Sequence, residues 1–268
     1  MDALQSLLLG IIQGITEFLP ISSSGHLVLG KQILGVDVEP GITYEIVVHF
    51  GSLCSILIYY KKIIWDLTAS GFQFIKSPIQ QKSDPNIKLI GFILVSMIPA
   101  MAIGFTLKDQ VEAVFSSPLL VSIMLIVTGV ILFSTRFVGE TRKNVSLGRS
   151  FLIGIGQAFA MIPGISRAGS TISVALWLGV KREEAANFSF LMLIPVIAGA
   201  MLLEVTEIVE VGLSNAALTN LVIGFFAAFI SGYYSLKYLI IILKKKGFHF
   251  FAFYCWVVGG IGVIYFLI

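Results

Sequence analysis

The chain has 268 residues, 57% hydrophobic and only 12% charged, with a formal net charge of +3 and a mean hydropathy of +0.95. A soluble domain carries about a quarter charged residues, so most of this surface must face something other than water. The charge shortfall excludes an ordinary water-soluble enzyme, and no nucleic-acid partner is expected.

The first apolar stretch, Leu4–Leu19, has no basic segment before it and runs into Glu17 without a cleavage site, so a secretory signal is not expected. It stops at Pro20 and resumes as a second short piece. The next stretch, Ile42–Tyr60, is a full candidate span, followed by a polar loop to Lys88 and the spans Leu89–Leu107 and Pro118–Thr135. A second broken stretch, Phe151–Ile162, stops at Pro163; the spans Ala186–Leu203, Leu218–Leu243 and Phe250–Ile268 complete the chain. Each span is long enough to cross ~30 Å of hydrocarbon at about 1.5 Å per residue. The two broken stretches read as re-entrant hairpins, because interrupted backbone at membrane depth is tolerated only inside protein or around a polar cavity. Cys54 and Cys255 lie within spans and read as small apolar residues.

Six crossings and two hairpins gather the basic residues on one side. Lys61, Lys62, Lys76, Lys82, Lys88, Arg136, Arg142, Lys143, Arg149, Lys181, Arg182 and Lys244–Lys246 share it, against Lys31 and Lys108 opposite. By the positive-inside rule the basic side is cytoplasmic. Both termini, and the acidic Glu204, Glu207 and Glu210, are then external, in a multi-pass protein of the plasma (inner) membrane.

The chain also matches itself. A shift of 144 places Leu8, Gly10, Gln13, Ile21, Ser22 and Gly25 on Leu152, Gly154, Gln157, Ile165, Ser166 and Gly169. A shift of 133 places Ile90-Gly91-Phe92 on Ile223-Gly224-Phe225 and Gly129 on Gly262, the difference reflecting the longer first-half loop at Lys76–Lys88. The expected fold is a single all-α polytopic membrane domain over residues 1–268. It holds two repeats, about 1–138 and 149–268, each a re-entrant helical hairpin plus three transmembrane helices. Three is odd, so the repeats have inverted topology, an arrangement common among transporters with sites near the midplane.

The polar residues concentrate at the hairpins. Gln13 and Glu17 are four apart and share one helix face. Pro20 ends that helix, and Ser22, Ser23, Ser24, Gly25 and His26 begin the next. Hydroxyls and unpaired N–H groups at a helix N-terminus suit a phosphate. The second hairpin supplies Ser166, Arg167, Gly169, Ser170 and Thr171, with a guanidinium where the first has Ser23. A charge at membrane depth costs at least a few kcal/mol unless paired, and Glu17 or a bound anion would be its company. The plainer readings are a structural Glu17–Arg167 salt bridge and small-residue helix packing. Glu45 and His49 read equally as supporting groups or interfacial ones, while Ser173, Ser189 and Lys237 receive no role.

The run Gln13-x-x-x-Glu17-Phe-Leu-Pro-Ile-Ser-Ser-Ser-Gly-His26, with Pro163-Gly-x-Ser-Arg167-x-Gly-x-Thr171 far downstream, resembles the undecaprenyl pyrophosphate phosphatase family, the BacA or bacitracin-resistance family. The likeness covers the whole chain and extends to Phe188-Ser-Phe-Leu ahead of Pro195. The resemblance implies a plasma-membrane phosphatase that converts undecaprenyl diphosphate to the monophosphate carrier lipid of cell-wall glycan synthesis. It implies a divalent cation, Mg²⁺ or Ca²⁺, and functional residues Glu17, Ser23, His26 and Arg167. Ser22, Ser24, Gly25, Ser166, Gly169 and Thr171 would bind phosphate, and Glu17 and Gln13 the metal. Gln13 stands where many members carry glutamate, and Ala168 where a serine is common. Ser23 is the preferred nucleophile, with Glu17 or His26 as its base, and His26 and water are the other candidates; Glu17 is open as base or metal ligand. A polyprenyl-phosphate flippase built on the same groove and phosphate site is the competing function, and a homodimer is an open expectation.

Overall fold

In the computed structural model the described residues are 1–36, 42–139, 142–211 and 215–268, with side chains left aside at 42–43, 108–109, 111–112, 200, 202–211 and 215–216. The acidic trio Glu204, Glu207 and Glu210, and Lys108, therefore lie outside the described side chains.

Helix α1 (Ala3–Phe18) starts at a capping box in which the Asp2 carboxylate accepts from the Gln5 N–H and the Gln5 amide oxygen accepts from the Asp2 N–H. It ends ahead of Pro20, and α2 (Ser23–Ile33) begins at a Ser22 cap. Helix α3 (Ile42–Tyr59) is bent by 81° into α4 (Lys61–Lys76). Then come α5 (Pro78–Gln81), α6 (Pro85–Thr106), α7 (Lys108–Phe115) and α8 (Pro118–Ser134). The second half runs through α9 (Leu147–Phe159), α10 (Arg167–Trp177), α11 (Arg182–Val211), α12 (Asn215–Lys244) and α13 (Phe251–Leu267).

Four helical stretches among the described residues are long and apolar enough to cross a membrane: Pro85–Thr106, Pro118–Phe137, Ala217–Lys244 and Phe248–Leu267. The bent α3–α4 pair makes a fifth if counted as one span. The protein is an all-α polytopic membrane protein. The stretch expected as a loop after Tyr60 is instead largely helical. Its α4 exposes Trp65, Phe72 and Ile75 beside Lys61 and Lys76, the composition of a helix lying in a membrane interface. Helix α11 runs without a break through Pro195, across the expected Ala186–Leu203 span.

Small residues set the helix contacts. Helix α1 lies along α12, and a Cβ on Gly10 would stand 2.6 Å from the Gly224 carbonyl oxygen. Helix α9 lies along α6, where a Cβ on Gly154 would stand 2.3 Å from the Ser96 carbonyl oxygen. Helices α8 and α13 meet through Gly129 against Trp256 and Gly262 against Ser122. Lipid supplies no hydrophobic drive between helices, so such close approach is what holds them.

Two ends of the molecule can be told apart along α12. At its start, Asn220 donates to the Met1 carbonyl, and the Gln5 amide reaches the Leu34 carbonyl, joining the start of α1 to the end of α2. At its other end Lys244 pairs with Glu183 at 3.2 Å. Nearby, Lys143 and Val180 exchange main-chain contacts, which joins the approach to α9 to the exit of α10.

Candidate functional site

Both helix breaks fall at proline, and each is resolved differently. After Pro20 the chain turns through Ser22 at φ 70°, a conformation side-chain-bearing residues rarely adopt. After Pro163 the corresponding freedom is taken by Gly164 at φ 91°, and Ser166 keeps an ordinary extended backbone. Ser22 and Ser166 each cap the helix that follows, accepting from the Gly25 and Gly169 N–H groups at 3.2 and 3.0 Å. The two breaks touch: a Cβ on Gly25 would stand 3.1 Å from the Gly164 Cα. The N-termini of α2 and α10 therefore meet.

At this junction the Glu17 carboxylate is almost fully enclosed, with a side-chain exposure of 7%. Its Oε1 accepts from Arg167 Nη2 at 2.9 Å; its Oε2 accepts from the Ser23 hydroxyl at 2.6 Å and from the Gln13 amide nitrogen at 3.0 Å. His49 Nε2 is 3.8 Å from the same oxygen. Arg167 also donates to the Ser189 carbonyl at 3.1 Å, so its planar fork spans carboxylate and backbone.

His26 sits one turn beyond Ser23 on α2. Its Nδ1 is 2.8 Å from the Ser22 carbonyl, which can only accept, so Nδ1 carries the proton. Its Nε2 is 2.9 Å from the Tyr254 hydroxyl, and the two rings stack with an interplanar angle of 14°. Beside this pair lies an apolar groove of about 660 Å³, walled by Ile11, Ile12 and Ile15 of α1, Tyr238 and Ile242 of α12, and Phe251 and Tyr254 of α13.

The predicted residues do not all converge equally. Glu17, Ser23, Gln13 and Arg167 meet in one hydrogen-bonded group. Ser24 lies against Ser22, hydroxyl oxygens 3.3 Å apart, at the same helix start. Thr171 is turned inward, bonded to the Arg167 carbonyl and to the Ser189 hydroxyl at 2.6 Å. Glu45 pairs with Lys31, away from the carboxylate, whereas His49 approaches it. The sequence reading gives no role to Ser189, Thr128 or Tyr254, and Gln157 enters it only as the repeat match of Gln13. Ser189 anchors Arg167 and Thr171. Thr128 of α8 donates to the Gly164 carbonyl at 2.8 Å and accepts from the Ser166 N–H at 3.0 Å, pinning the second break. Tyr254 holds His26. Gln157 keeps the position of Gln13 in the other half, and among the described residues both its polar atoms are buried without a partner.

The fold and the site define an all-α polytopic membrane protein with a buried acid–base pair where two helix N-termini face each other. The family model described as "Bacitracin resistance protein BacA" matches residues 6–261, and the chain belongs to that family. It is 39% identical to the undecaprenyl-diphosphatase of Salinibacter ruber, with 97% of each chain covered. It is 41% identical to that of Desulforapulum autotrophicum over 98% of each. The undecaprenyl-diphosphatase of Methanobrevibacter smithii is 38% identical, with 97% of this chain and 96% of that one covered.

Proposed function

We infer that the chain hydrolyses undecaprenyl diphosphate to the lipid monophosphate and inorganic phosphate, recycling the carrier lipid of cell-wall synthesis. The observation that carries this reading is one carboxylate shared between a serine hydroxyl and an arginine across the two breaks. A hydroxyl at 2.6 Å from a carboxylate oxygen is a nucleophile next to its base. A guanidinium at the same point is a phosphate ligand.

In the proposed mechanism the lipid chain lies in the groove beside His26 and the diphosphate reaches the facing helix N-termini. Arg167 and first-turn N–H groups hold the phosphoryl oxygens, the positioning and charge stabilisation that dominate phosphoryl transfer. Ser23 Oγ attacks the terminal phosphorus and its proton passes to Glu17. The bond from phosphorus to the bridging oxygen breaks, and the lipid monophosphate departs with that electron pair. Water then attacks the phosphoserine and gives its proton to His26 Nε2. Glu17 returns its proton to Ser23 as phosphate leaves, and His26 releases the extra proton to solvent.

A divalent cation is part of the same proposal. One observation supports it: the buried Gln13 Oε1 has no partner among the described residues, on an amide whose Nε2 lies 3.0 Å from the Glu17 carboxylate. Two protein oxygens suit a Mg²⁺ that keeps water and takes substrate phosphate oxygens, better than the larger cage of Ca²⁺. Glu17 and Gln13 would hold it, and its contribution would be neutralisation of diphosphate charge.

We read α1–α2 and α9–α10 as re-entrant hairpins entering from opposite faces, within repeats of about 1–138 and 149–268. Support comes from the two ends of α12: the first hairpin opens and closes beside Met1 and Asn220, the second beside Lys143 and Glu183. The reciprocal packing of α1 on α12 and α9 on α6 supports a pseudo-two-fold. Since Lys143, Lys181 and Lys244 cluster at one end, the positive-inside rule puts that end in the cytoplasm. The termini and the mouth of the first hairpin then face outward.

The test is phosphate release from undecaprenyl diphosphate by purified protein in detergent, with wild type beside Ser23→Ala. Wild type releases phosphate in a chelator-sensitive way and Ser23→Ala loses turnover. Phosphate release by neither protein, with lipid still moved across vesicles, would make it a carrier; near-normal Ser23→Ala would remove the serine nucleophile.

A further inference from the structure

Tyr254 joins the apolar groove to the proposed chemistry. Its hydroxyl sits 2.9 Å from His26 Nε2, and the ring that carries it forms part of the groove wall, 43% exposed. Nδ1 is already committed to the Ser22 carbonyl. The imidazole has no third nitrogen, so Tyr254 occupies the only position from which His26 can take a proton. The stacked rings, centroids 5.6 Å apart, further fix the pair. A group that needs Nε2 must first displace the tyrosine hydroxyl, and what presses on the tyrosine ring is whatever fills the groove.

We propose that Tyr254 is a specificity latch: a lipid chain in the groove shifts its ring and frees His26 Nε2, so that diphosphates lacking a chain are hydrolysed poorly. The proposal rests on the phosphatase reading above and on His26 as the proton acceptor. Apolar burial of the chain supplies the free energy that opens the latch, and a headgroup alone has none to contribute. Selectivity then arises from a cost imposed on the wrong substrate, in addition to contacts with the right one. Tyr254 acts through His26 and is not itself a catalytic residue.

Tyr254→Phe keeps the ring and the groove wall and removes only the hydrogen bond. The expected result is a fall of about two- to tenfold in the ratio of kcat/KM for farnesyl diphosphate over isopentenyl diphosphate, the range one hydrogen bond carries. The fall comes mainly from faster isopentenyl diphosphate turnover. A merely structural role would lower both substrates together and leave the ratio unchanged, and an unchanged ratio overturns the proposal. A second measurement needs no turnover: ¹⁵N NMR of histidine-labelled wild type titrated with farnesol, a chain with no phosphate. The His26 Nε2 resonance should move with farnesol in wild type and stay fixed with methylenediphosphonate. Tyr254→Phe should start near the farnesol-shifted position. An Nε2 resonance that ignores farnesol overturns the latch even where phosphatase activity is intact. Absence of phosphate release from every diphosphate, with the farnesol shift present, would instead sink the phosphatase reading, and with it the latch as a specificity device, leaving only the chain-driven movement of Tyr254 off His26.

Discussion

The two hairpins have the same framework and opposite chemical equipment. Gln13 corresponds to Gln157, and the capping Ser22 to Ser166, but Glu17 corresponds to Met161, Ser23 to Arg167 and His26 to Ser170. The first hairpin holds the proposed proton-handling groups and the second the fixed positive charge. The cost of burying either charge alone explains why they meet: an isolated carboxylate or guanidinium in hydrocarbon is expensive, and each is tolerable beside the other. On the proposed repeat, duplication would supply two helix N-termini and divergence would give each a separate task.

Removing the first hairpin's carboxylate should break the comparison most completely. Glu17→Gln leaves Ser23 without a base and Arg167 without its partner, and turnover of undecaprenyl diphosphate should fall about 10³-fold, within the usual range for a general base. Phosphate release at saturating substrate measures it, and activity within a few-fold of wild type would show that the carboxylate only pairs the arginine. Next comes the second hairpin's charge. Arg167→Lys keeps the charge but cannot span the Glu17 carboxylate and the Ser189 carbonyl together. We expect a loss of about 10²-fold, with the same assay as readout; an unimpaired lysine variant would reduce the second hairpin's role to simple charge.

A smaller effect should come from the device that pins the second break. Thr128→Val removes a donor to the Gly164 carbonyl and an acceptor for the Ser166 N–H, both buried. Leaving such groups unpaired costs about 1–3 kcal/mol. Thermal unfolding of purified protein in detergent should show a clearly lowered midpoint, with turnover reduced less than in the charge variants. An unchanged midpoint would mean that α8 does not hold the second break in place.

How much of this was legible in the sequence follows from the range of each interaction. The helix breaks, the Gln13–Glu17 face and the caps are local, written by Pro20, Pro163 and four-residue spacing, and the sequence carries them openly. The pairing of Glu17 with Arg167 is a long-range contact, expected only because an unpaired charge in a membrane needs company. Thr128 and Tyr254 sit inside uniformly apolar helices and Ser189 in an apolar stretch of α11, where one hydroxyl looks like any other until neighbours are known. Helix α4 escaped for another reason. Its apolar residues, Trp65, Phe72 and Ile75, are interleaved with polar ones, so a search for continuous apolar runs passes over it. Even the broken symmetry at Ser22 was invisible, because a backbone angle leaves no mark on the residue that bears it.

That angle gives the smallest of the expected effects and the sharpest view of the two breaks. Ser22 holds φ 70° where the second hairpin relies on Gly164, two residues before the equivalent of Ser22. A strained backbone of this kind costs about 1–3 kcal/mol. Replacing a serine cap with glycine costs only a few tenths, and glycine adopts positive φ freely. Ser22→Gly should therefore raise the unfolding midpoint slightly, even though a hydrogen bond to Gly25 is lost. Its effect on turnover separates two uses of the strain. If the strained turn aims Ser23 at Glu17, relaxing it lets α2 settle and phosphate release falls severalfold while stability rises. If Ser22 merely inherits the geometry of the turn, the midpoint still rises slightly while phosphate release stays near wild type, and the two breaks are equivalent in all but their side chains.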